Sequence, residues 1–267
     1  MPELAEVEFY RKQWLPAIGE RVRKVHLHPG ARIFRETDPA RLASTLEGRR
    51  FLKAEAHGKQ LCFRFSENLW LGLHLGMSGK LASAEPEMVP ARHDHLVLVM
   101  PHAALVFSDY RKFGRVRFHE GASPPDWWSD LPPQPHEPAF DRPRLEAIIR
   151  HHPRKRLKGL LLDQDAFPGI GNWMADEILW RARIHPATKA GSLPATKRRR
   201  LFEETRAVAQ QSLELIGNDW STPPDSWLFP HRWKRGDLCP VSGKPLQHET
   251  ICGRTTCFSP AIQKEIH

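Results

Sequence analysis

Seven prolines fall within residues 121–143: Pro124, Pro125, Pro132, Pro133, Pro135, Pro138 and Pro143. Proline fixes φ and lacks an amide hydrogen, so neither a helix interior nor a central strand can run through such a stretch. The chain is thereby divided, and its two parts carry different hydrophobic patterns. From about residue 20 to 118 the apolar residues come in short runs of β-formers: Val22–Leu27, Leu61–Phe65, Trp70–Leu75, Leu96–Met100, Ala104–Phe107 and Val116–Phe118. Several alternate with polar residues, which predicts an antiparallel β domain of two packed sheets. Residues 3–16, with acids early and Leu4, Val7, Phe9, Trp14 and Leu15 apolar, predict an amphipathic helix before it. Residues 144–217 carry helical spacing instead (Leu145, Ile148 and Ile149; Leu157, Leu160 and Leu161; Met174, Ile178 and Leu179), with Pro143 placed to open the first helix. A second proline pair, Pro223 and Pro224, introduces a short β-hairpin module over 228–267, with Gly236, Gly243 and Gly253 at its turns. The expected organisation is an α+β chain: an N-terminal β domain over 1–122, a linker over 123–143, a helical domain over 144–227 and a hairpin over 228–267.

A net charge of +9 in 267 residues points to a polyanionic partner, nucleic acid first and an anionic membrane second. No apolar run is long enough to span a bilayer and the N-terminus has no apolar signal core, so cytoplasmic residence is the default expectation. Of the four cysteines, Cys62 stands alone, while Cys239, Cys252 and Cys257 lie near the C-terminus, a local feature rather than a disulfide framework. With His248 those three could make a set of four, but structural zinc is held by two close ligand pairs on tight knuckles, and spacings of thirteen and five supply none. No cofactor is expected; Cys239, His248, Cys252 and Cys257 are the alternative metal set. Some of the nine tryptophans belong to the core, and others are free to stack on bases.

The chain begins Met1-Pro2-Glu3-Leu4-Ala5-Glu6-Val7-Glu8. Removal of Met1 would leave Pro2 a secondary amine with a pKa of roughly 8, able to attack a carbonyl-like carbon and form a Schiff base. Glu3 beside it could move the protons. The competing reading is structural: Pro2 at a first helical turn, with Glu3, Glu6 and Glu8 favouring the positive end. Phe167-Pro168-Gly169-Ile170-Gly171-Asn172 between two helical patterns is either a plain helix–helix turn or a phosphate cradle with Asn172 capping the next helix. Lys59 enters a strand after Gly58, as a phosphate contact or a solvated charge. His74-Leu75-Gly76-Met77-Ser78-Gly79 is a tight loop presenting Met77, and Asp109-Tyr110-Arg111-Lys112-Phe113-Gly114 sets an aromatic residue among cations, as a wedge for a nucleic-acid stack or as an ordinary hairpin. Gly253-Arg254-Thr255-Thr256 carries an arginine at a hairpin tip, a fork for phosphate.

Taken in order, the N-terminal motif, His74–Gly79, Asp109-x-Arg111-x-Phe113-Gly114, Gly169–Asn172 with Ala175-Asp176-Glu177 and Ile184-His185-Pro186, and Gly253–Thr256 resemble the formamidopyrimidine-DNA glycosylase / endonuclease VIII family over almost the full length. The resemblance implies an N-terminal β-sandwich, a C-terminal helix-two-turn-helix and a β-hairpin finger. It implies a bifunctional DNA glycosylase/AP lyase of base-excision repair, acting as a monomer on double-stranded DNA with damaged bases or abasic sites, the nucleotide flipped out of the stack. Pro2 would be the nucleophile and Glu3 the general acid/base, and Glu6 would hold the active-site network. Lys59, Asn172 and Arg254 would grip phosphates. Met77, Arg111 and Phe113, on loops that include His74, would fill the void in the duplex, and Lys158 would lie near the lesion. The alternative is a damaged-DNA-binding protein that keeps the fold without the chemistry. The family's metal-bearing finger uses four cysteines, whose counterparts here are Cys239, Ser242, Ser259 and Ile262, so the resemblance implies a zincless finger. The segment from Gly217 to Cys239 is short, which leans away from 8-oxoguanine toward oxidised pyrimidines or hydantoins, whereas Met77, Arg111 and Phe113 resemble the formamidopyrimidine branch.

Overall fold

A computed structural model describes residues 1–28 and 31–264 of the chain. These form two compact units, one of Met1–Pro2 and Glu6–Leu131, the other of Glu3–Ala5 and Pro132–His267. Helix α1 (Leu4–Lys12) ends sooner than its pattern predicts; its last turn tightens ahead of a 3₁₀ turn at Leu15–Ala17, where Pro16 removes a helical donor.

The first unit holds two four-stranded antiparallel sheets. One has the order β1 (Lys24–Leu27), β6 (Asp94–Val99), β7 (Ala104–Ser108), β5 (Lys80–Ala84); the other runs β2 (Phe51–His57), β3 (Gln60–Phe65), β4 (Leu69–His74), β8 (Arg115–Glu120). Alternation decides what faces inward: Leu61, Phe63 and Phe65 of β3 and Leu69, Leu71 and Leu73 of β4 join Leu96, Leu98, Leu105 and Phe107 of the other sheet in one core. Trp14 serves both sheets, its ring 4.5 Å from that of Phe63 and its indole N–H donated to the Ala82 carbonyl. Helix α2 (Pro39–Leu46) has no counterpart in the periodicity reading, although its start is a strong local signal: Asp38 accepts from the amides of Ala40 and Arg41, with proline at the first helical position.

The proline-rich stretch is not a free tether. Its first part forms α3 (Asp126–Ser129), whose Trp127 lies so close on Gly72 of β4 that a Cβ there would meet the ring at 2.5 Å. The part after Leu131 belongs to the second unit, where Phe140 is fully buried and the Arg206 guanidinium donates to the carbonyls of Glu137 and Phe140. Two aromatic anchors and one arginine order what composition alone marks as a linker.

In the second unit, α4 (Arg142–His151) is capped by Asp141, which accepts from the Arg144 amide, with proline at the helix start. It packs with α5 (Leu157–Leu161), α6 (Asn172–Arg181) and α7 (Ala195–Asp219) around a core that includes Leu145, Leu160, Phe167, Met174, Ile178 and Val208. Strands β9 (Gln247–Ile251) and β10 (Arg254–Phe258) form the terminal hairpin, with Gly253 at φ 71 in its turn. Among the described residues no helix is long and apolar enough to cross a membrane.

Candidate active site

In the second unit, the head of α6 is built around Glu3. The Glu3 carboxylate accepts backbone hydrogen bonds from Gly171 (2.9 Å), Trp173 (3.0 Å) and Met174 (3.1 Å). Unpaired amides and the helix dipole both favour an anion there. The chain is drawn in by the Leu4 amide, which donates to the Gly169 carbonyl at 3.0 Å. Gly169 has φ 90, a conformation glycine adopts at no steric cost, and a Cβ on Gly171 would lie 2.2 Å from the Glu3 carboxyl carbon. Asn172 therefore does not cap this helix: Gly171 holds the cap position, Glu3 supplies the acceptor, and the Asn172 amide donates instead to the Thr255 carbonyl of β10 at 2.9 Å. Pro2 is the covalent neighbour of this carboxylate, and its nitrogen is an amide as long as Met1 precedes it.

One helical turn on, Asp176 is buried and accepts from three directions: the Lys158 ammonium (2.5 Å), the Arg232 guanidinium (2.7 Å) and the Cys257 amide of β10 (3.0 Å). The Lys158 ammonium also donates to the Asn172 carbonyl at 2.7 Å. Burial pulls the Lys158 ammonium down from its ordinary value, and Asp176 opposes that pull. Lys158, expected near the lesion, is thus wholly withdrawn from solvent and braces α6. Asn172 and Asp176, one turn apart, grip a carbonyl and an amide of the strand that carries Arg254, which is exposed. In the sequence Asp176 stands only within the Ala175-Asp176-Glu177 motif, with no role assigned, and Arg232 is not singled out. The available signal was an acid inside the apolar run Met174–Trp180, since a buried carboxylate requires partners.

Among the described residues no group of three or more His, Cys, Asp or Glu could hold a metal ion. Cys239 and Cys257 lie in an apolar cluster with Trp180, Leu228 and Leu246, with Ile262 packed against it. Cys252 is exposed in the turn, and the His248 ring bonds the Arg232 carbonyl at 2.8 Å. Burial pushes the Cys257 thiol up to about 12. Burial also raises that of Cys239, but donors from Ser242 and Trp180 outweigh it and bring it down to about 7.

In the first unit the structure brings together the loops of Met77, Arg111 and Phe113, the residues expected to act as a wedge. Met77 and Phe113 are exposed large hydrophobics, and the Arg111 guanidinium lies over the Phe113 ring at 4.9 Å. His74 ends β4, and its Nδ1 accepts from the Gly76 amide at 3.0 Å, which places its proton on Nε2. Burial, then the cations Arg115, Lys59, Arg117 and Arg35, lower the imidazole to about 4. Lys59 follows Gly58 (φ 58) in the β2–β3 turn and is buried to 6 % exposure rather than solvated. Glu6 lies in the first turn of α1, where its charge adds to burial in raising the Tyr10 phenol.

Sequence models of the formamidopyrimidine-DNA glycosylase N-terminal domain and of the formamidopyrimidine-DNA glycosylase H2TH domain match residues 1–116 and 131–223. The chain belongs to the formamidopyrimidine-DNA glycosylase family. It is 36 % identical to the formamidopyrimidine-DNA glycosylase of Symbiobacterium thermophilum, over 98 % of this chain and 89 % of that protein. It is 34 % identical to that of Thermus thermophilus, over 99 % of both. Among solved structures, the wild-type Lactococcus lactis enzyme in complex with DNA containing an oxidised pyrimidine superposes with a TM-score of 0.89 at 26 % identity, covering 99 % of this chain and all of that one. The same enzyme non-covalently bound to DNA containing an AP site gives a TM-score of 0.86 at 25 % identity, covering 98 % of this chain and all of that one. Family membership agrees with the α+β architecture: paired antiparallel sheets, a helical H2TH region and a terminal hairpin.

Proposed function

We propose that this chain is a bifunctional DNA glycosylase/AP lyase of base-excision repair, acting as a cytoplasmic monomer on duplex DNA that carries oxidised bases or abasic sites. The observation that carries the reading is the Glu3 carboxylate, held at the head of α6 by three backbone amides and covalently next to Pro2. Once Met1 is removed, the Pro2 nitrogen lone pair forms a bond to C1′ of the flipped nucleoside. The glycosidic bond breaks and the base departs, taking a proton from water. The Glu3 carboxylate accepts the proton that the Pro2 nitrogen sheds on bonding C1′ and delivers it to O4′ as the nitrogen lone pair forms the iminium and the C1′–O4′ bond opens. Loss of a C2′ proton expels the 3′ phosphate, and a second elimination expels the 5′ phosphate. Lys59, Asn172 and Arg254 hold phosphates, and Met77, Arg111 and Phe113 occupy the space the nucleotide leaves. The finger keeps Arg254 in place without a metal, through the apolar cluster around Cys239 and Cys257 and the contacts of Asn172 and Asp176 to β10.

Borohydride trapping tests this. The protein with Met1 removed should form a covalent adduct with a duplex holding an abasic site or an oxidised base, and Pro2→Gly and Glu3→Gln should reduce it strongly. No adduct with the wild-type chain, together with binding of damaged duplex, would leave a DNA-binding protein without the chemistry.

A further inference from the structure

The buried carboxylate of Asp109 has no part in the chemistry above. It sits at 0 % exposure beneath the two loops that carry Met77, Arg111 and Phe113. Asp109 Oδ1 accepts the Ser78 hydroxyl at 2.6 Å and the Arg111 amide at 3.2 Å, and Oδ2 accepts the Gly114 amide at 2.7 Å. The Arg111 amide also donates to the Ser78 hydroxyl at 3.1 Å, closing a three-way junction between the loops. From the other side, the ring Nε2 of the buried His95 bonds the Asp109 backbone carbonyl at 2.9 Å. The loops touch closely: a Cβ on Gly76 would lie 2.5 Å from the Phe113 carbonyl carbon. Lys112, between Arg111 and Phe113, is held at φ 57, a left-handed conformation that a residue with a Cβ adopts only where its surroundings enforce it.

From this geometry we infer that Asp109 is a positioning residue for duplex invasion. Its carboxylate pins the Ser78 loop to the Arg111–Gly114 turn and holds Met77, Arg111 and Phe113 as one pre-assembled wedge. A wedge ordered before DNA arrives does not lose conformational freedom on binding, so the junction acts on engagement of the duplex and not on the iminium chemistry. Asparagine is nearly the same shape, but it has one acceptor oxygen where the junction uses two. One of its faces would turn an amide donor toward a backbone N–H that already donates. The inference rests on the proposed lyase and on the wedge role of those three residues.

The test compares single-turnover cleavage of two substrates carrying the same abasic site, a single-stranded oligonucleotide and its duplex, by the wild-type chain, Asp109→Asn and Ser78→Ala. A single strand has no void to fill, so the wedge is not needed there. Asp109→Asn should cut the duplex-to-single-strand rate ratio on the order of ten- to a hundredfold, the weight of a charge-assisted hydrogen bond, with single-strand trapping by borohydride within about twofold of wild type. Ser78→Ala, which removes one arm, should shift the ratio in the same direction by less, and it decides the matter if Asp109→Asn does not fold. An unchanged ratio in the folded variants, or equal loss on both substrates, overturns the positioning role. A wild-type chain that traps neither substrate overturns the lyase reading itself, which is a distinct outcome.

Discussion

Acidification should unfasten the first unit at His74. The imidazole accepts the Gly76 amide through Nδ1, so a proton there would face an N–H donor and add a charge beside Arg115, Lys59, Arg117 and Arg35. The sign follows from which state takes the proton first. The unfolded imidazole titrates near 6.5 and the folded one near 4, so between these values the unfolded chain binds more protons. Stability from this group is complete above pH 6.5 and is lost as pH falls toward 4. For a single site the loss reaches about 2 kcal/mol at pH 5 and about 3 kcal/mol at pH 4; these are upper values, because the ring is partly exposed and solvent screens part of the added charge. His74→Asn isolates the effect, since its side-chain oxygen can accept the Gly76 amide and does not titrate. Between pH 7 and 5, urea unfolding of the wild-type first unit should lose about 2 kcal/mol more than the variant does. An NMR titration of the ring protons should remain flat through pH 6. Parallel stability losses in both proteins, or a ring that titrates near 6.5, would refute the reasoning.

Three further outcomes follow from the second unit. Gly171→Ala should lower the adduct-forming rate by about a hundredfold or more, the weight of a displaced general acid/base, because the new Cβ takes the space of the flexible Glu3 side chain; the unfolding free energy should fall by only about 1 kcal/mol, as for a lost cap, and a normal rate would show that Glu3 is not needed at this position. Asp176→Asn leaves Lys158 and Arg232 without their carboxylate and should cost about 3–5 kcal/mol in chemical unfolding, whereas a loss under about 1 kcal/mol would mean the triad is not what fastens β10. If the finger is metal-free as proposed, exhaustive chelation should leave both the melting temperature and the trapped adduct unchanged, and one zinc per chain in elemental analysis would overturn that proposal.

Much of this was written locally. Period-two runs specify strands through residues two apart, helical spacing specifies helices through residues three and four apart, and prolines mark where neither can continue. Asp38 and Asp141 cap helices within three residues of themselves, and Gly58 and Gly253 turn hairpins, so both signals can be read from a short window. The N-terminal proline and acid, the two loop motifs and the finger arginine also stand out in a short window, because the chemistry proposed for them belongs to the residue types. Tertiary structure alone decided the partners. Asn172 has every local qualification to cap α6, yet the cap comes from Glu3, 168 residues before Gly171, and Asn172 is drawn to β10. Lys158 looks like any surface cation in the sequence, and burial beside Asp176 turns it into a brace. Asp109 is the first residue of a familiar motif, but only the approach of Ser78, 31 residues earlier, makes it a junction. Such pairings depend on which polar groups are taken out of water together. A buried polar group must find its partner wherever the fold brings one, and no window of neighbouring residues contains that information.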